Sequence, residues 1–463
     1  MSSIAIETSS PPSLAGARRP RSRSFTARWR ARRERMMGIS DAAYELPIVR
    51  LKSLFGTTFV VSDPAAVRRV LVENVANYPK TEMEKRFFVA LFGAGLLGTD
   101  GQIWRTHRRI MAPAFDPRSV AAYGPAIVQS TGALLDEWDK LPDGAVVDMA
   151  ADMTGLTLQI ISRTMFSADS TDIVGLVEAT LGGNQKAFSF NLLVLLPLIG
   201  PVMFRRKEKQ IAAVFQPLDA AIAGLIAKRE NQSGERPADL LSRLVAAKDQ
   251  DTGSSMTARE VRDEVITIFM AGHETTAVTM DWIWYVLSQH PVEEARLHGE
   301  LNAVLGGRAP AQEDLARLPY TRQVVEEAMR LYPAAPGLSA RQARAADSLG
   351  GMDIPKGANV FVAPWVLHRH RRLWNNPEQF DPDRFSPERS ADRPRFAYLP
   401  FGAGPRVCIG QVLAMNEAVL ILAALAQHYR PRLAPDCTVA LQHNITLRPR
   451  HGLKMTLQRR HGR

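Results

Sequence analysis

Residues 256–291, MTAREVRDEVITIFMAGHETTAVTMDWIWYVLSQHP, constrain the fold more than any other stretch of the chain. They predict one long helix. Thr257 and Glu260 stand three apart as a capping box, and Pro291 stops the run. More than 30 residues at 1.5 Å each make a rod about 50 Å long, enough to cross a whole domain. Its middle, AGHETT, is odd for a buried helix. Gly272 weakens it, and Glu274, Thr275 and Thr276 bring in polar groups. A threonine hydroxyl in mid-helix bonds a carbonyl one turn back or distorts the ladder. Read in isolation, Thr275 back-bonds and Glu274 lies on a solvated face.

The rest of the chain supplies the body for such a rod. It has 463 residues, 46% of them hydrophobic, enough for a large core. Helical periodicity runs from about residue 100 to 335. Residues 48–62 predict a hairpin turning at Phe55 and Gly56, and Asp63-Pro64 gives the next helix its N-cap and first residue. SLGGMDIPKGANVFVAP carries Gly-Gly and Pro-Lys-Gly turns and predicts a second β patch. The sequence reads as a disordered basic tail over residues 1–24, rich in Ser, Pro and Arg, then one large, mainly helical domain over residues 25–463. Residues 24–37 suit a short basic helix. The Ser- and Arg-rich start also resembles an organelle transit peptide, with a solvated tail the preferred reading.

Charge and cysteine usage narrow the class. Net charge is +11, but residues 1–50 hold ten Arg and Lys against four Asp and Glu, and residues 444–463 add six basic residues and no acidic one. Between these ends the chain is close to neutral, which argues against a nucleic-acid-binding core. The two cysteines, Cys408 and Cys437, make no disulfide framework and suit a reducing compartment. No membrane span or signal peptide is expected. The nearest apolar run, residues 190–204, is short and broken by Pro197, Gly200 and Pro201.

Residues 401–410, FGAGPRVCIG, place Cys408 just before a run that reads as a helix. A thiol there lies in the positive end of the helix dipole, within reach of backbone N–H groups. Both effects lower its pKa and favour thiolate. The glycines let the backbone approach something flat, Phe401 can lie on its face, and Arg406 can neutralise a carboxylate on it. Together they suit a haem with its propionates. A lone cysteine would suggest a buried thiol in a glycine turn. The spacing Phe-x-x-Gly-x-Arg-x-Cys-x-Gly argues against that.

That loop matches the haem-binding signature of the cytochrome P450 family at every defining position. From about residue 40 to 463 the chain resembles these haem-thiolate monooxygenases, of the soluble bacterial type. The resemblance implies a mainly α fold with small β-sheets, and haem b between the long central helix and the cysteine-loop helix. It implies that Cys408 is the axial iron ligand, whose thiolate pushes electron density toward O–O cleavage, with Phe401, Arg406 and Gly410 around the cofactor. AGHETT resembles the family's acid-alcohol motif. Ala271 and Gly272 then lie over the haem, and Glu274 and Thr275 relay the protons that dioxygen takes up before its O–O bond breaks. Trp104 and Arg108 resemble a Trp-x-x-x-Arg propionate clamp, otherwise an amphipathic basic helix, and Arg341 resembles another propionate contact. His107 and His368, near these positions, are read as ordinary polar residues. Glu327 and Arg330 in VVEEAMRLYP match the Glu-x-x-Arg motif, with Arg384 of FDPDRF as third member of a buried triad. Asp383 stands where the family often has Glu.

By the same resemblance Phe87, residues 190–202, Ala335, Leu338, Ile445 and Thr446 line an apolar pocket. The expected reaction inserts one oxygen atom from O2 into a fatty acid, a terpenoid or an aromatic. Electrons come from a separate ferredoxin or flavodoxin-type donor served by an NAD(P)H-dependent reductase. Arg105 and Arg109, on the helix of Arg108, are expected to face solvent and meet that donor. The alternatives are a haem-thiolate peroxygenase or isomerase, and a non-catalytic haem sensor. A cytoplasmic monomer without nucleic-acid partner or membrane anchor is expected, or an organelle-matrix protein if the N-terminus is a transit peptide.

Overall fold

A computed structural model describes residues 6–7, 39–53, 56–167, 175–176, 200–232, 237–443 and 445–460. The expected basic helix, Phe55 of the hairpin turn, and residues 190–199 of the expected pocket lining lie outside these. So does the expected tail, except for Ile6–Glu7, which pair as a short strand with Ile48–Ser53. The chain forms two compact units. One comprises Met1–Thr81, Arg330–Gln379 and Pro387–Val407; the other comprises Glu82–Met329, Phe380–Ser386 and Cys408–Arg463.

The first unit is built on a five-stranded sheet. Its order is Ile6–Glu7, Ile48–Ser53, Gly56–Val61, Asn359–Phe361 and Arg341–Gln342, antiparallel except where Gly56–Val61 meets Asn359–Phe361. The expected hairpin is present, Ile48 opposite Val61 and Ser53 opposite Gly56. Asp63 caps the following helix, its carboxylate accepting from Ala66 N–H at 2.8 Å, and Pro64 takes the first helical position. A second hairpin, Asp347–Leu349 with Met352–Ile354, turns at Gly350 and Gly351 as the sequence predicts. Phe59, Val67, Tyr78, Ile354, Val360 and Leu367 form the core beneath.

The second unit is mostly helix. Ala258–Gln289 has the expected capping box: Glu260 N–H donates to Thr257 Oγ1 at 3.3 Å, and Thr257 N–H donates to Glu260 at 2.8 Å. Pro291 ends it by opening the next helix, Pro291–Leu305. The long helix packs most extensively on Met149–Phe166, and also on Gly200–Glu230 and Gln411–His428. Gly272 explains part of this. A Cβ there would stand 3.2 Å from Ile161 Cδ1, so glycine sets the close approach of the two helices. Two small sheets complete the unit: Val146–Asp148, Lys454–Arg459 and Tyr429–Leu433 in that order, and the hairpin Leu441–His443 with Leu447–Pro449.

Among the described residues two helical stretches are long and apolar enough to cross a membrane, by length and composition alone: Arg205–Glu230 and Gln411–His428. The sequence reading expected none. Gln411–His428 is mostly buried within its unit. Arg205–Glu230 buries Ile211, Phe215, Leu218, Ile222 and Ile226 at helical spacing, the stripe of an amphipathic helix.

Candidate active site

In the first unit, residues 401–407 bend through Gly402 and Gly404, both with φ of +72°. Gly404 is required twice over, because a Cβ there would also collide with the carbonyl oxygen of Leu71. Phe401 is half-buried. Arg406 is half-buried too, and burial pushes its guanidinium down to about 10. Arg341, on the strand Arg341–Gln342, is buried. Ala335 and Leu338 are half-buried; Leu338 packs on the sheet core and its N–H donates to Val362 O at 2.9 Å. His368 is an ordinary polar residue, its Nε2 accepting from Leu399 N–H at 2.8 Å.

In the second unit, Cys408 stands three residues before Gln411–His428, and Gly410 caps that helix. The Gly410 N–H donates to the sulfur and the Arg108 charge favours the thiolate, yet burial outweighs both and holds the thiol above its ordinary pKa. The sequence expectation of a lowered value is corrected here. The dipole argument considered the helix end alone and left out the desolvation of a charged sulfur. Protein crowds this thiol, but its surface is exposed, so it faces an opening. Beside it, nothing lies within 4 Å of where a Cβ on Gly410 would sit.

The long helix has an opening of its own. From Asp263 to Met270 and from Thr276 to Trp284 every residue is buried, whereas Ala271, Gly272, Glu274 and Thr275 are only half-buried. Such a gap in the driest part of a domain is where a group absent from the polypeptide would fit. Thr275 donates to Ala271 O at 2.7 Å, the back-bond anticipated for an isolated helix, and its oxygen still has lone pairs to accept with. His273 is buried and donates from Nδ1 to Phe269 O at 2.9 Å. Thr276 donates to Glu417 at 3.5 Å, which joins the long helix to the cysteine helix one residue past Thr275.

Glu274 is held by partners that no sequence spacing predicts. Thr446, expected in the pocket wall, is buried and donates its hydroxyl to Glu274, and Arg448 pairs with the same oxygen. Ile445 beside them is 43% exposed. Arg448 and Glu417 were both missed. Glu417 had a visible signal, a lone carboxylate in an apolar helix. Arg448 had none, because it lies 174 residues from its partner.

On the helix Gly101–Met111, Trp104 is buried and Arg108 is half-buried, its charge disfavoured by burial and supported by Cys408. His107 donates from Nδ1 to Glu264 at 2.7 Å. Glu264 also accepts from Leu96 N–H at 3.1 Å, and Asp263 from Ala94 N–H at 2.8 Å. These bonds hang the loop before the helix on the long helix. Arg105 is exposed as expected, but Arg109 is not a free surface charge; it pairs with Asp249 at 2.9 Å and Asp251 at 3.2 Å. Phe87 is half-buried, edge-on to Phe88 at 5.6 Å.

Of the expected triad, Glu327 and Arg384 meet at 3.3 Å, both buried, and Glu327 also accepts from Asp381 N–H at 2.9 Å. In the first unit, Arg330 is fully buried and donates to the carbonyls of His368, Pro377 and Gln379. Asp383 pairs instead with Arg296 at 2.8 Å.

Within the second unit, the open thiol with its N–H donor and the gap in the long helix leave room for a group that the polypeptide does not supply. Comparison with known proteins agrees. A sequence model of the cytochrome P450 family matches residues 28–455. Cyclooctatin synthase of Streptomyces melanosporofaciens is 36% identical over 391 residues, 83% of each chain. Cyclooctat-9-en-7-ol 5-monooxygenase of the same organism is 35% identical over 363 residues, 75% of each. The crystal structure of the cytochrome P450DA heme domain superposes with a TM-score of 0.78 at 27% identity, covering 89% of this chain and 90% of that one.

Proposed function

The chain belongs to the cytochrome P450 family and is a haem monooxygenase, and from that premise we propose which residues do the work and on what. The observation that carries the reading is the half-buried stretch Ala271, Gly272, Glu274 and Thr275 in an otherwise buried helix, joined through Thr276 and Glu417 to the helix that Cys408 precedes. Cys408 ligates the iron of haem b as thiolate; metal binding removes the proton that burial otherwise keeps on the sulfur. Trp104, Arg108, Arg341 and Arg406 hold the propionates, and Phe401 and Gly410 border the cofactor. Glu327, Arg330 and Arg384 are structural. When bound, the haem supplies the redox chemistry, in which substrate C–H, O2, two electrons and two protons give an alcohol and water. Glu274 takes up protons and Thr275, through its accepting oxygen, hands them on.

The substrate is apolar, in a pocket that Phe87, Ala335, Leu338 and Ile445 help to line. The name of the second relative specifies monooxygenation of a cyclic alkenol at position 5. That favours a terpenoid-like cyclic hydrocarbon or alcohol over a fatty acid or a simple aromatic. Electrons come from a ferredoxin or flavodoxin-type protein and its NAD(P)H-dependent reductase. We place the enzyme in the cytoplasm as a monomer, with residues 25–463 as its catalytic domain and residues 1–24 as an accessory tail. The test is the spectrum of the reduced carbon-monoxide complex. Wild type should show the thiolate-type band, and Cys408→Ser should lose it. Retention would move the ligand elsewhere. Spectral-shift titration with terpenoids, fatty acids and aromatics then ranks the substrate classes, and turnover driven by hydrogen peroxide alone would favour the peroxygenase alternative.

A further inference from the structure

Glu274, the carboxylate assigned to proton uptake, is anchored in this chain. Thr446 and Arg448 both reach its Oε1 from the strand end at Leu447–Pro449. They are two residues apart, Thr446 in the bend that leads into the strand and Arg448 within it, and both side chains meet on the same carboxylate oxygen. Leu447 between them is fixed from the other direction: its carbonyl accepts from Trp282 Nε1 at 2.8 Å, and Trp282 is fully buried eight residues further along the long helix. The strand is thereby pinned in register against the helix, and positions 446 and 448 cannot slide past Glu274. The side chains of Arg448 and Glu274 are 40% and 28% exposed. A pair this open is screened by solvent and adds little to stability. What it gives is direction. Two donors from one short segment, pinned at Leu447, fix where the carboxylate points, and the exposed flank of Arg448 leaves that carboxylate next to water.

We propose that Arg448 is the positioning residue of proton delivery, holding Glu274 with Thr446 at the water-facing side of the helix opening, one residue from Thr275. Each proton that Glu274 takes from water on this side is matched by one released on the Thr275 side, and none of these residues changes redox state. His273, buried on the same helix, also feels the Arg448 charge, but its Nδ1 is bound to Phe269 O, outside this path.

The inference rests on reading Glu274 and Thr275 as the relay, and the experiment separates the two. Haem-loaded full-length wild type, Glu274→Gln, Arg448→Gln, Arg448→Lys and the double variant Glu274→Gln with Arg448→Gln are compared. The measurements are haem content, substrate Kd by spectral shift, urea midpoint and product formed per NAD(P)H consumed. Arg448→Gln is expected to lower product per NAD(P)H at least about threefold while the other three readouts hold, and Arg448→Lys to recover most of the ratio. In the Glu274→Gln background, Arg448→Gln should change nothing further, because it acts only through that carboxylate. An unchanged ratio in Arg448→Gln, or losses that simply add in the double variant, would overturn the role of Arg448. If Glu274→Gln alone leaves the ratio intact, the relay reading falls and Arg448 falls with it.

Discussion

Glu417 lies in a helix of Leu, Ile, Val and Ala, 6% exposed, with the Thr276 hydroxyl donating to it from 3.5 Å. Burial pushes its carboxyl up to about 8, against a small opposing pull from Thr276. At neutral pH it is therefore mostly a neutral acid. The sign of the linkage follows. A carboxyl whose pKa is higher folded than unfolded binds its proton more tightly in the native state. Its contribution is complete below the ordinary carboxylate range and is lost as pH rises through about 8. Between about pH 5 and pH 8 this one group makes stability fall as pH rises, by on the order of 1 kcal/mol per pH unit. Glu417→Gln keeps the shape and cannot ionise, so its urea midpoint should fall less than that of wild type between pH 6 and pH 8.5. Parallel curves would mean that Glu417 reaches water when charged.

At the scale of elements, Gly272 sets how closely the long helix meets Met149–Phe166. Gly272→Ala has two opposing effects, about 1 kcal/mol gained in helix propensity and a crowding of the flexible tip of Ile161, so its stability should stay near wild type. Gly272→Val adds atoms that Ile161 alone cannot make room for, and about 1–3 kcal/mol should be lost in urea unfolding. A Val variant as stable as the Ala variant would mean the two helices are free to separate. What the sequence made legible at this scale was whatever a short window contains. The capping box at Thr257 and Glu260, the Asp63-Pro64 helix start, the Gly350-Gly351 turn and the cysteine loop are each set by neighbours within four residues or so. The anchor on Glu274, the Glu264 bond to His107 and the Arg109 pair with Asp249 join residues 140 to 174 apart. No spacing rule reaches that far, because such partners are chosen by packing. Buried acids in the long helix were the available signal: Asp263 and Glu264 sit among apolar neighbours, and a charge there requires donors from somewhere.

For the whole molecule, a net charge of +11 overstates the basic surface that an electron donor would meet. Much of the excess lies in the two ends of the chain. On the helix Gly101–Met111, Arg108 is turned inward and Arg109 is neutralised by Asp249 and Asp251, leaving Arg105 as the exposed arginine of the three. Steering of an acidic ferredoxin depends on such unpaired charge, and it acts over a Debye length of about 10 Å at 0.1 M salt. Arg105→Glu changes the local charge by two units without removing a partner from any acid in this cluster. It should slow the first reduction of the haem several-fold at low salt and flatten the salt dependence, while haem content and urea midpoint hold. Arg109→Glu is the contrasting variant. It leaves the buried Asp249 without its guanidinium and sets a third acid beside it, so it should lower the urea midpoint, and any slowing of reduction will be mixed with that damage. The decisive measurement is the stopped-flow rate of haem reduction by an acidic ferredoxin across a salt series. Equal rates and equal slopes for wild type and Arg105→Glu would mean that the donor docks on another face.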